Sequence, residues 1–235
     1  MSSAVPGHKG THMLDIHGLC VRIGAVQVLR SVDVVLPVGT MTGLFGRNGA
    51  GKTSLLRSIM GALKSEEGSI KFDTRELTTA PAHLRAHLGI GYMPEDRKLV
   101  PQLTCRDNIQ MPLYAGIRID KARLDWSLEI IPEIKPLLPR RANQLSGGQQ
   151  KMVALARAFV AGSHVLLLDE PTEGVAPVLA ARFSEILTQL KRTGLTILIA
   201  ESDSRYVKDL VDRSYDLERG EAALLEDMKK EVVLT

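Results

Sequence analysis

The chain has 235 residues, 44% of them hydrophobic and 24% charged, which fits a soluble globular protein of one large domain or one with a subdomain. A net charge of +3 is too small to argue for nucleic acid or an anionic membrane, and two distant cysteines, Cys20 and Cys105, offer neither a metal motif nor a disulfide framework. No apolar run approaches the roughly 18 residues that cross a bilayer. Met1 to His12 is polar, lacks the apolar centre of a signal peptide, and reads as a loose tail over residues 1–12. The six histidines stand in no ligand pattern.

From Met13 to Leu36 the apolar positions Leu14, Ile16, Val26, Val28, Val32 and Val34 alternate, with Gly24 and Gly39 as punctuation, and predict short strands with turns. Met41–Phe45 reads as a short buried strand. Gly51–Leu63 reads as a helix with Leu55, Leu56, Ile59 and Met60 on one face. A strand over Gly68–Phe72, a short helix opened by Pro81 and a strand over Gly89–Met93 follow. The stretch from Arg97 to Arg141 changes character. It holds several prolines, the single Trp126, and helical patterns at Arg106–Tyr114 and Lys121–Ile131, and reads as an inserted helical subdomain. Helix and strand then alternate: Gln149–Ala161, Val165–Leu168, Val178–Lys191 behind Pro177, Leu195–Ala200, a helix over Ser204–Val211 and a final strand over Ser214–Leu217. Near-continuous apolar strands between amphipathic helices imply an α/β fold with a mostly parallel sheet covered on both faces.

Gly46-Arg47-Asn48-Gly49-Ala50-Gly51-Lys52-Thr53 satisfies G-x-x-x-x-G-K-[ST] between a strand and a helix. Its glycines let backbone N–H groups turn inward on phosphate oxygens, and the helix starting near Gly51, with Ser54 in its first turn, adds its positive dipole end. Lys52 is placed to reach the β- and γ-phosphates, and the Thr53 hydroxyl to ligate Mg²⁺. Val165–Leu168 ends in Asp169-Glu170, at the strand end where ligands sit in open α/β sheets. Asp169 suits Mg²⁺, and Glu170 can accept a proton from an attacking water. Leu145-Ser146-Gly147-Gly148-Gln149-Gln150 precedes a helix and forms a second anion-binding device, with Ser146 as N-cap and two glycines leaving amides free. One nucleotide needs one cradle, so a second suggests binding across an interface.

Phosphate loop, L-S-G-G-Q and L-L-L-D-E-P, in this order and spacing, resemble the ATP-binding subunit of an ABC (ATP-binding cassette) transporter from about Met13 to Leu225. The resemblance implies a P-loop NTPase (RecA-like) core, mostly parallel, with an N-terminal antiparallel β subdomain and an inserted helical subdomain. Residues 13–235 then form one ATPase domain, with 13–96 and 163–235 as nucleotide-binding core and 97–162 as the helical part. It implies ATP and Mg²⁺ as cofactors and a head-to-tail dimer in which Ser146, Gly147, Gly148 and Gln149 contact ATP held by the other subunit. It also implies permease subunits docked through the helical insert and, indirectly, an extracytoplasmic solute-binding protein, at the cytoplasmic face of a bacterial inner membrane, with no nucleic acid partner.

Three positions depart from the family pattern. Glu95, in Met93-Pro94-Glu95-Asp96-Arg97, stands where Gln is usual; it could ligate Mg²⁺ or position water. Ser202 stands where the family carries His, and cannot hold positive charge against a developing phosphate. Ile23, before Gly24, stands where an aromatic stacks on adenine. These imply a slow site and a mixed working dimer. The forms P-E-x-R and Pro171-Thr172-Glu173-Gly174-Val175-Ala176-Pro177 are similar to one ATPase subunit of branched-chain amino-acid uptake systems and their urea or amide relatives. A regulatory or weakly hydrolysing ABC subunit, or a soluble ABC ATPase outside transport, is the alternative.

Overall fold

The computed structural model describes residues 12–117, 119 and 121–227. Of the tail expected over residues 1–12, only His12 is described, and it opens the first strand; residues 1–11 lie outside the described residues, as do 228–235.

Strands β1 (His12–Ile23) and β2 (Val26–Pro37) form an antiparallel hairpin that turns at Gly24, φ +59°. The alternating pattern holds at Leu14, Ile16, Val32 and Val34, which are buried, whereas Val28 is half-buried and Val26, next to the hairpin turn, is exposed. It runs through two strands of 12 residues each rather than several short ones, because register shifts absorb the bends. One shift falls between Ile16 and Leu19, where Gly18 takes φ +58°. Next come β3 (Met41–Phe45) and α1 (Lys52–Ile59). Helix α1 is shorter than expected because Gly61, φ +72°, turns the chain out of the helix one residue after its C-cap, Met60. Strands β4 (Glu67–Phe72) and β5 (Arg75–Glu76) complete a four-stranded antiparallel sheet in the order β2-β1-β4-β5.

Helix α2 (Ala82–His87) leads to β6 (Ile90–Met93). Between β6 and β7 (Val165–Asp169) lie α3 (Cys105–Tyr114), α4 (Lys121–Ile130) and α5 (Gly147–Ala161), with α3 and α4 packed on α5. Then follow α6 (Pro177–Lys191), β8 (Thr196–Glu201), β9 (Arg213–Glu218) and β10 (Glu221–Asp227). The second sheet runs β10-β9-β3-β8-β7-β6, parallel throughout except at the edge strand β10.

Every residue of β7 and β8 is buried, as a doubly covered sheet requires. Alternate residues serve opposite faces. Leu166, Leu168, Ile197 and Ile199 join a core with α5 and α6, while Val165, Leu167, Leu198 and Ala200 join one with α1 and the antiparallel sheet. Each Val, Leu or Ile side chain among them contributes about 1.5–3 kcal/mol of burial. The parallel arrangement also aligns the carboxyl ends of β3, β6, β7 and β8. The phosphate loop, Glu95, Asp169-Glu170 and Ser202 therefore emerge along one edge.

Two further segments differ from expectation. The helix read over Ser204–Val211 is two 3-10 turns, Ser204–Tyr206 and Lys208–Leu210, broken at Val207, φ −128°. The strand read as final is β9, and β10 returns beside it through Arg219, φ +50°, and Gly220, φ +85°, two consecutive left-handed residues of the kind tight hairpins use.

Candidate active site

The phosphate loop joins β3 to α1, and its glycines answer steric demands. A Cβ on Gly46 would lie 2.2 Å from the Leu217 carbonyl oxygen; Gly51 takes φ +117° with the Val28 carbonyl 3.0 Å from where a Cβ would stand. Lys52 is buried. Its Nζ donates to the Gly46 carbonyl at 2.6 Å, the Arg47 carbonyl at 3.2 Å and Ser202 Oγ at 2.9 Å, and lies 3.0 Å from Glu170 Oε1. A cavity of about 450 Å³ opens here, lined by Val28, Asn48, Gly49, Gly51, Lys52, Thr53, Ser54, Glu95 and Glu170. A second, of about 630 Å³, lies along Gly46, Arg47, Asn48, Gly49 and Ala50 and reaches Ser202 and Arg219.

Asp169 is 0% exposed at the end of β7. Thr53 Oγ1 donates to its Oδ1 at 3.1 Å, and the Tyr92 hydroxyl to its Oδ2 at 3.0 Å. Burial pushes the Asp169 carboxyl above its ordinary range; the Tyr92 and Thr53 hydrogen bonds oppose this, and Glu95 and Glu170 add to it. Burial and the Asp169 charge likewise raise the Tyr92 phenol. The pair Thr53–Asp169 suits a hard cation, which would offset the crowded negative charge. Among the described residues no group of three or more His, Cys, Asp or Glu is spaced to hold a metal alone.

Glu170 takes φ +49° just past β7, while its N–H still bonds the Ala200 carbonyl at 2.9 Å. The turn points its carboxylate at Ser202, whose backbone N–H donates to Oε2 at 3.0 Å. Ser202 Oγ lies 2.6 Å from both Glu170 Oε1 and Asn48 Oδ1; a hydroxyl has one proton to give, and either oxygen can take it. Burial works to raise the Glu170 carboxyl, but hydrogen bonds from Ser202, Glu201 and Lys52 outweigh it and hold it below the ordinary range.

Ser146 caps α5. Its Oγ accepts from the Gln149 N–H at 3.3 Å and Gln149 Oε1 accepts from the Ser146 N–H at 3.0 Å, a reciprocal capping box. Ser146 and Gly147 are exposed, and a Cβ on Gly148 would lie 2.2 Å from Leu179. Among the described residues, none of Ser146, Gly147, Gly148 and Gln149 lines either cavity at the phosphate loop. Ile23 is 47% exposed at the hairpin end, while Val28 lines the cavity itself.

Four residues that sequence reasoning passed over belong here. Val28 and Tyr92 read as ordinary strand apolars. Lys151 stands on the apolar side of α5, buried, with Nζ donating to the Glu170 carbonyl at 2.6 Å and to the Glu173 carbonyl. Glu201 ends the buried strand β8. A lysine on an apolar helix face and an acid in an apolar strand are signals a sequence does carry.

Residues 29–173 match the family described as ABC transporter. The chain is 34% identical over 209 residues to the high-affinity branched-chain amino acid transport ATP-binding protein BraG of Pseudomonas aeruginosa, covering 88% of this chain and 90% of that one. It is 33% identical over 199 residues to the lipopolysaccharide export system ATP-binding protein LptB of Escherichia coli K12, covering 83% and 82%. An ATP-binding cassette of an ABC transporter solved in its ADP conformation superposes with a TM-score of 0.80 at 27% identity, covering 94% and 93%. A dimeric bacterial ABC transporter cassette shares the fold with a TM-score of 0.82 at 23% identity, covering 92% and 99%. The chain belongs to the ABC transporter family, as an ATP-binding cassette whose hydrolysis of ATP energises transport. Among the described residues no helix is long and apolar enough to cross a membrane.

Proposed function

We propose that ATP is cleaved in the cavity between the phosphate loop and Glu170 by in-line attack of water on the γ-phosphate. The observation that carries this is the Glu170 carboxylate, buried and 3.0 Å from Lys52 Nζ, with the Ser202 backbone N–H bonded to Oε2 and the Ser202 hydroxyl 2.6 Å from Oε1. Its lowered carboxyl range keeps it ionised near neutral pH, so it can accept the proton of the water. Lys52 stabilises charge on the transferred group, and the amides of Gly49 to Thr53 hold the neighbouring phosphates. Thr53 and Asp169, with Glu95 beside them, are the residues that would hold Mg²⁺, which when bound neutralises phosphate charge. Val28 and Ile23 offer apolar surface to adenine in place of a stacked ring.

Ser146 and Gly147 are exposed and do not line their own chain's phosphate cavity, which supports a head-to-tail pair of cassettes in which each signature serves the other's ATP. On this reading residues 13–96 and 163–235 are the nucleotide-binding core and 97–162 the helical part that meets the permease. Its docking place is a groove of about 670 Å³ lined by Met60, Leu63, Pro94, Met111, Pro112 and Ala115, at the cytoplasmic face of the membrane. The solutes are branched-chain amino acids or related small solutes delivered by an external binding protein. BraG's identity and coverage support this, together with the P-E-x-R and P-T-E-G forms. The similarity to LptB favours an exporter as the second reading. Identifying the permease by pull-down separates the two. A Glu170→Gln variant should bind ATP, lose turnover and accumulate as a closed dimer; wild-type turnover would remove Glu170 from its role.

A further inference from the structure

Tyr92 is half-buried near the end of β6, and its hydroxyl donates to Asp169 Oδ2 at 3.0 Å. Strands β6 and β7 run parallel with Tyr92 opposite Leu167. The Tyr92 side chain therefore stands on the sheet face that Leu167 and Asp169 share, the face toward α1 and Thr53. Packing there would be met equally by phenylalanine. A hydroxyl set in an apolar strand costs free energy unless it has a partner, and its partner here is the carboxylate proposed to hold Mg²⁺.

Asp169 is 0% exposed, so its two oxygens depend on protein donors rather than on bulk water. Thr53 Oγ1, from α1, donates to Oδ1 at 3.1 Å, and Tyr92, from β6, to Oδ2. The torsion that turns a carboxylate about its own axis is broad and two-fold, and a donor on one oxygen alone leaves it room to swing. Charge-assisted donors on both oxygens, carried by separate elements, hold one orientation.

We propose that Tyr92 is a positioning residue for the divalent cation of ATP hydrolysis. Its hydroxyl pins Oδ2 of Asp169 and keeps Oδ1 turned toward Thr53 and the phosphate loop. The inference rests on Thr53 and Asp169 as the pair that holds Mg²⁺. Tyr92 acts from outside: it lines the apolar groove beside α3 and is not among the described residues that line the phosphate cavity.

Affinity for a fluorescent ATP analogue is measured on the full-length chain in Mg²⁺ and in EDTA, for wild type, Tyr92→Phe and Asp169→Asn. The ratio of the two affinities is the contribution of the cation. Phenylalanine keeps the ring and removes only the hydroxyl. Tyr92→Phe should lower that ratio by about tenfold, the scale of a lost partner to a metal ligand, with affinity in EDTA within about twofold of wild type. The Mg²⁺ concentration that half-saturates single-turnover hydrolysis should rise by a similar factor. A ratio in Tyr92→Phe within about twofold of wild type overturns the proposal, as does an equal loss in both media, which a packing role alone produces. Asp169→Asn tests the reading beneath the inference and should lower the ratio at least as far as Tyr92→Phe does. An unchanged ratio in Asp169→Asn removes Asp169 from the cation, and the role of Tyr92 falls with it.

Discussion

Arg85 is the largest fully buried side chain among the described residues, and none of its hydrogen-bond partners is a carboxylate. Its guanidinium donates to the carbonyls of Ser58 and Ile59 at 2.7 Å each, Leu77 at 2.7 Å, Thr78 at 3.3 Å and Ala80 at 3.0 Å. The first two are last-turn carbonyls of α1, the end of a helix that welcomes a cation; Ser58's also accepts from the Gly61 N–H at 3.0 Å. One side chain thus joins the helix behind the phosphate loop to the segment between β5 and α2. Burial lowers the Arg85 pKa, a sign that the charge is costly to hold and needs all its acceptors. Replacing it with Met strips several charge-assisted bonds, each worth about 1.5–3 kcal/mol, and strands carbonyls in apolar surroundings. Offset by the desolvation no longer incurred, the net loss is about 3–5 kcal/mol. At about 2–4 °C per kcal/mol for a domain of this size, Tm falls by about 6–20 °C. Arg85→Lys keeps the charge but not the fork and should recover less than half. Calorimetry and urea unfolding of the two variants decide it. A loss below about 1 kcal/mol, or a lysine variant as stable as wild type, refutes the reasoning.

Ser202→His should speed single-turnover hydrolysis, since the backbone N–H of residue 202 still holds Glu170 and the ring adds positive charge at the phosphate; an unchanged or lower rate counts against a slow site. Gly46→Ala should weaken ATP binding by about tenfold or more, because its methyl group meets the Leu217 carbonyl at 2.2 Å and the loop must shift; titration with a fluorescent ATP analogue reads this directly. Glu201 holds its proton in the folded chain up to about pH 8 and releases it near its ordinary value of 4.5 when unfolded. The native state then binds the extra proton across that window, and stability drains away as pH rises through it. The urea midpoint of Glu201→Gln relative to wild type should therefore climb from about pH 5 to about pH 8; a constant difference would show that Glu201 is ionised throughout.

The parts legible in the sequence are those where local chemistry and fold agree. Gly46 to Thr53 can be little else, and the apolar runs of β7 and β8 are long enough to demand burial from both sides. The misses have physical causes. Ala222 to Asp227 is rich in helix formers, but the left-handed pair Arg219-Gly220 directs it back along β9. Ser204 to Val211 is too short to sustain a helix unless packing supports it, and burying Val207 takes a break in the middle. The surroundings of Lys151 and Glu201 depend on which carbonyls, amides and hydroxyls lie opposite them, 19 to 29 positions away in sequence, and spacing does not carry that information.

The segment after β6 reaches two places at once. Glu95 lines the phosphate cavity, while Pro94 and Lys98 line the apolar groove beside α3. Arg97 and Lys98 both hold left-handed backbone, φ +65° and +46°, clasped by Arg157 through their carbonyls at 2.6 and 2.7 Å. Such conformations persist only where surroundings enforce them. Occupancy of either recess therefore bears on the same five residues. Thermodynamic reciprocity then makes a firm demand: whatever factor a segment seated in the groove applies to nucleotide affinity, the nucleotide returns to that segment unchanged. The coupling can be weighed from either side, by measuring ATP binding with and without the groove filled, or groove binding with and without ATP.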